Sequence, residues 1–150
     1  MEELDFNETF GLDNRKIILL PSLLIESLTS FYLSRLLNIK DLSDSKVLGN
    51  KSGCLSFSQK VNILIEMNAI PKDYRNKYLA FMEIRNQFMH NIDATNFEKC
   101  YSFLVGKDKF ILKAYPQSEE LSREKQLENA TIEMTKELID KTLEIRKSKR

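Results

Sequence analysis

The chain has little to offer thiolate, zinc or indole chemistry: it contains two cysteines, one histidine and no tryptophan. Cys54 and Cys100 lie far apart with no C-x-x-C spacing, and one histidine cannot complete a zinc site of Cys and His ligands. Unpaired cysteines of this kind suit a reducing cytoplasm. No glycine-rich phosphate loop, G-x-S-x-G elbow or paired-carboxylate pocket can be read, so the sequence predicts neither a metal nor a cofactor. Glycine and proline are scarce, at four and three residues, which excludes collagen-like and low-complexity classes and favours helix. Charge of one sign is lacking too. Lys plus Arg total 23 against 22 Asp plus Glu, so the broad basic field of a protein that holds long nucleic acid is missing. Only local patches remain for RNA, at Arg15, Lys16, Arg75, Lys77 and the terminal RKSKR. The longest apolar run, Ile17 to Ile25, is broken by Pro21 and Ser22 and is too short for a bilayer, and the acidic opening MEELDFNETF predicts no signal peptide.

What is present is helical periodicity. A length of 150 residues suits a single domain spanning 1–150. Residues 13 to 37 carry apolar side chains around nearly the whole circumference, with Ile17, Leu20, Leu24, Leu28 and Phe31 on one side and Leu19, Leu33 and Leu37 on the other. That pattern predicts a central helix covered on both sides, with Pro21 marking either a kink or the true first turn. The stretch DLSDSKVLGNKSG then reads as a surface loop. Ser56 and Gln59 have capping-box spacing, and Phe57, Val61, Leu64 and Ile65 form the stripe of a helix over 56–68. Pro71 opens a third helix, over 73–90, whose Tyr74, Tyr78, Phe81, Ile84 and Phe88 recur at core spacing. Asp93 or Thr95 is expected to cap a short fourth helix that Gly106 stops, KDKFILKAYP is ambiguous between an extended segment and a turn, and Ser118 is expected to cap a last helix over 118–147.

The chemistry concentrates in FMEIRNQFMHN, residues 81 to 91. On a regular helix Arg85 falls inside the apolar stripe, where a guanidinium needs an acceptor, and Glu26 is the only acid between Leu19 and Leu37. A buried structural pair is one reading of Arg85 and Glu26. His90 follows Arg85 by five residues, about 140° around a regular helix, so the two converge only if the helix frays near Met89 or a second subunit supplies its own copy.

Arg85-Asn86-Gln87-Phe88-Met89-His90 resembles the Arg-x4-His signature of HEPN domains. LPSLLIESLTSFYLSRLL resembles their first long helix with its acidic residue, LSFSQKVNILIEMNAIP the middle helix, and YLAFMEIRNQFMHN follows at the spacing of the mannitol operon repressor-like branch. The likeness covers roughly residues 15 to 105. It implies an all-α, up-and-down bundle of four to five helices, frequently a homodimer with the motif in a cleft at the subunit interface. Many such domains are metal-independent ribonucleases of toxin or defence systems, and others are non-catalytic regulatory or interaction modules. For a ribonuclease, His90 would act as acid or base, Arg85 would hold the phosphate, Asn86 would orient either, and Glu26 would support them. The partners implied are an RNA substrate and an antitoxin or regulatory protein, with no membrane.

Overall fold

The computed structural model describes residues 5–49 and 52–145. Among them are seven α-helices and no strand, so the fold is an all-α helical bundle as the periodicity predicts. They are α1 (Phe6–Phe10), α2 (Leu12–Leu36), α3 (Phe57–Glu66), α4 (Arg75–His90), α5 (Phe97–Ser102), α6 (Lys107–Ala114) and α7 (Arg123–Glu144). The count exceeds the expected four to five because α1 was not anticipated and KDKFILKA is a helix.

Several local readings hold and several move by a few residues. Ser56 caps α3 through a capping box: its hydroxyl accepts from the Gln59 amide and its amide donates to Gln59 Oε1 at 2.8 Å. Pro71 precedes a 3-10 turn, Lys72–Tyr74, that leads into α4. The cap of α5 is Asn96, not Asp93 or Thr95. Its extended backbone lets Oδ1 accept from the Lys99 amide at 2.8 Å, whereas the Thr95 carbonyl is already held by Asn14 Nδ2. Gly106 does not stop α5, which ends at Ser102; its φ of +77° makes it the N-cap of α6. Ser122 caps α7 in place of Ser118, because Gln126 Nε2 draws the Ser118 and Leu121 carbonyls into a turn and leaves Ser122 Oγ facing the Lys125 amide at 3.2 Å. The terminal RKSKR lies outside the described residues.

The chain forms two compact units, Met1–Ser22 with Ala80–Glu137, and Leu23–Leu79 with Leu138–Arg150. In the first, Ile18, Phe81, Ile84, Phe88, Phe97, Ile111 and Met134 are buried, and Phe88 meets Phe97 edge to face with centroids 5.1 Å apart. Tyr101 shares a hydrogen bond with Thr131 at 2.7 Å, and the Glu124 carboxylate accepts from the Phe97 and Glu98 amides at the start of α5. In the second, Ile25, Leu33, Leu48, Leu64, Ile70 and Tyr78 are buried, and the Tyr78 hydroxyl pairs with Thr142 at 2.8 Å.

One expectation fails on α2. Its apolar residues are not covered on both sides, since Leu20 is 64% exposed, Leu23 58%, Leu24 47% and Phe31 44%, while Ser22, Thr29, Ser30 and Ser34 are buried. Three of these small hydroxyls satisfy themselves within the helix, donating to the carbonyls of Leu19, Ile25 and Phe31, so they enter the interior at little polar cost. Slim side chains let neighbouring elements approach closely, and the leucines are left outside. By length and mean hydropathy, 1.6 over its best stretch, α2 also meets the measure of a helix able to cross a membrane, with 44% of that stretch buried.

Candidate functional site

The site grows from the end of α4. This helix stays regular through His90, and the Asn91 amide still bonds the Gln87 carbonyl at 2.9 Å. The fraying that would have let Arg85 and His90 meet within one chain does not occur. Arg85 and Asn86 are brought together: Arg85 Nη1 donates to Asn86 Oδ1 at 2.7 Å, with both side chains half-buried. His90 is exposed; it lies about 140° of helix rotation from Arg85 but only about 40° from Asn86, one turn earlier on the same stripe. One turn further, Asn91 Nδ2 donates to Gln87 Oε1 at 2.9 Å.

Arg15 fixes this helix end, a role that was not read from the sequence. Its guanidinium donates to the carbonyls of Phe88, Asn91 (3.1 Å) and Ile92 (3.0 Å), and its Nε donates to the Phe10 carbonyl at 2.6 Å. The last carbonyls of a helix have no partner within it and carry partial negative charge, so a planar cation with five donors is well matched to them. A signal was available. Arg15 sits near the start of α2, where a cation opposes its own helix dipole, which suggests that its charge serves another element.

Glu26, the expected counter-ion of Arg85, is half-buried in the second unit. There its charge acts on Lys60, the second residue that sequence reasoning missed. Lys60 is 4% exposed, and its ammonium donates to Ser30 Oγ and to the Leu48 carbonyl, both at 2.9 Å. Burial holds its pKa below the ordinary lysine value, with Cys54 and Glu26 acting in the opposite sense. Lys60 thereby fastens the loop after α2 to α2 itself.

Beyond His90 the backbone of residues 91–95 forms one wall of a cleft of about 660 Å³ lined by Phe10, Ile92, Asp93, Thr95, Lys99 and Phe103, among others. Its walls are stitched together by close backbone contacts. Gly11 has a φ of +61° and lies so near the next wall that a Cβ there would stand 1.8 Å from the Thr95 carbonyl oxygen. Asn14 Nδ2 bonds that same oxygen at 3.2 Å, and Arg15 ties Phe10 to Ile92. Among the described residues, no three His, Cys, Asp or Glu side chains converge as a metal site would require. Compared with protein-family models, with curated proteins and with solved structures, the chain finds no match.

Proposed function

We propose that the chain is a HEPN-like, metal-independent endoribonuclease of toxin or defence type that works as a homodimer. The observation that carries this reading is His90, an exposed imidazole at the end of a helix that Arg15 clamps, one turn from Asn86 of the Arg85–Asn86 pair. Cleavage of RNA without a metal needs a base for the 2′-OH, an acid for the leaving oxygen and a cation for the charge on phosphorus. In this reading His90 exchanges the proton, the Arg85 guanidinium holds the phosphate and Asn86 fixes the guanidinium plane. Because α4 keeps Arg85 and His90 of one chain on different faces, the complete set requires two copies. Exposed apolar side chains support such a pairing, since Leu24 and Phe31, seven residues apart on one face of α2, are 47% and 44% exposed.

A non-catalytic regulatory or protein-interaction module, with an antitoxin or regulatory protein as its partner, is the second reading. It is favoured by the half-burial of Arg85 and its bond to Asn86, which a structural role explains equally well. The deciding experiment is cleavage of labelled total RNA and tRNA in excess chelator by the wild type and by His90→Ala. Cleavage by the wild type alone, leaving 2′,3′-cyclic phosphate ends, is the expected result. A folded wild type that cuts none of several RNAs, or a His90→Ala protein that cuts equally well, refutes the nuclease and leaves the module.

A further inference from the structure

We infer that the cleft beside the end of α4 is a nucleotide subsite, which takes one unstacked base of a single-stranded RNA together with its phosphate. This rests on the ribonuclease reading and names the substrate class for it. The lining combines three kinds of group that a nucleotide requires. Phe103 is an aromatic side chain on which a base can stack, 49% exposed, and Phe10 adds a second aromatic ring to the lining. Stacking on aromatic side chains tolerates every base and is the usual means of holding single strands. Lys99, on the exposed side of α5, provides one cation for one phosphate, which suits a chain whose net charge is only +1 and whose nucleic-acid contacts must be local. Asp93 adds a carboxylate acceptor to the same lining, which can take the exocyclic amino group of cytosine, adenine or guanine, whereas uracil offers only its ring N3–H.

Size and rigidity agree with this occupant. A cleft of about 660 Å³ falls within the usual range for small-ligand sites. Its walls are held before any ligand arrives, by the Gly11–Thr95 approach and by the Arg15 bonds to the Phe10 and Ile92 carbonyls, so little ordering is left for binding. Ile92 is two residues beyond His90, and its carbonyl shares the guanidinium that clamps the helix end. A base seated there is thus held in part by residues that begin two positions beyond His90. An apolar peptide would fill the same aromatic wall and have no use for Lys99.

The test is an anisotropy titration of labelled hexacytidylate and hexauridylate RNA against full-length protein in chelator, with His90→Ala as the background so that no turnover intervenes. Saturable binding is expected, tighter for hexacytidylate. Phe103→Ala should raise Kd about tenfold, and Lys99→Gln should reduce the slope of log K against log salt by about 0.7. Both side chains are exposed, so unchanged melting temperatures will show that the fold is intact. Absence of binding, or binding that neither substitution moves, overturns the subsite. The two readings fail separately. Binding that follows this pattern while the wild type cuts no RNA removes the nuclease and keeps the subsite; cleavage whose KM neither substitution changes removes the subsite and keeps the nuclease.

Discussion

Replacing Arg15 by methionine keeps the apolar stem and removes four hydrogen bonds, to the carbonyls of Phe10, Phe88, Asn91 and Ile92. A hydrogen bond from a charged donor contributes about 1.5–3 kcal/mol when buried. Arg15 is only half-buried and water can reach some of the freed carbonyls, so the four together are worth about 3 kcal/mol, not their sum. For a chain of 150 residues this corresponds to a fall in Tm of roughly 6–12 °C. Lysine at this position should recover less than half, because one ammonium cannot span four acceptors arranged around a planar fork. Hydrogen exchange gives the local readout: the Asn91, Ala94 and Thr95 amides, which bond Gln87, Asn91 and Asp93, should lose protection ahead of amides elsewhere. A methionine variant that melts within about 2 °C of the wild type, with those amides as protected as before, would refute the clamp.

Gly11→Ala should cost more than about 3 kcal/mol, since alanine meets both the left-handed strain of φ +61° and a carbonyl oxygen 1.8 Å from its Cβ, whereas Gly106→Ala, with φ +77° and open space, should cost only about 1–2 kcal/mol. Equal losses of Tm in the two variants would contradict the close approach at Thr95. Stability should also decline in alkali: burial pushes the Cys100 thiol and the Tyr78 phenol up to about 12, and Tyr101 higher still. Because these folded values exceed the unfolded 9.0 and 10.0, the stabilisation is complete below pH 9 and is lost as pH rises from 9 towards 12. A denaturant midpoint that stays flat from pH 8 to pH 11 would rule this out. Finally, if RNA cleavage needs His90 from two copies, specific activity should fall on dilution through the dimer dissociation range; constant activity from a demonstrated monomer would dismiss the shared site.

The parts of the fold that were legible in the sequence are those where a single local rule dominates. Ser56 and Gln59 announce α3 because the capping box closes within four residues, and Tyr78, Phe81 and Phe88 announce the buried side of α4 because helical spacing alone brings them together. The misreadings arise where distant groups decide. Ser118 and Ser122 are both competent caps, and the choice falls to the Gln126 side chain. On α2, apolar residues all round do not reveal which side faces inward, and the interior takes Ser22, Thr29, Ser30 and Ser34. For the candidate site, the separation of His90 from Arg85 follows from helix geometry alone, whereas the Arg85–Asn86 bond does not, since neighbouring residues on a helix point about 100° apart. Arg15 signals only that its charge opposes its own helix dipole; which acceptors it and Lys60 reach is decided by tertiary contacts up to 77 and 30 residues away along the chain.

Arg15 also determines which residues can carry a functional test. Listing it among basic patches for RNA treats its charge as available, yet its guanidinium already faces four carbonyl oxygens inside the first unit. A phosphate would have to compete with bonds that maintain the end of α4 and the wall of the cleft. Loss of RNA binding in an Arg15 variant would therefore report the shape of the site and not a direct contact. Gly11 has the same standing, since its effect on the cleft passes through the Thr95 backbone. His90, Lys99 and Phe103 differ from both: they are exposed, and their removal leaves the carbonyl clamp in place. Activity or binding lost in those three at an unchanged melting temperature can be assigned to the ligand, because the elements that position them are stabilised by other residues.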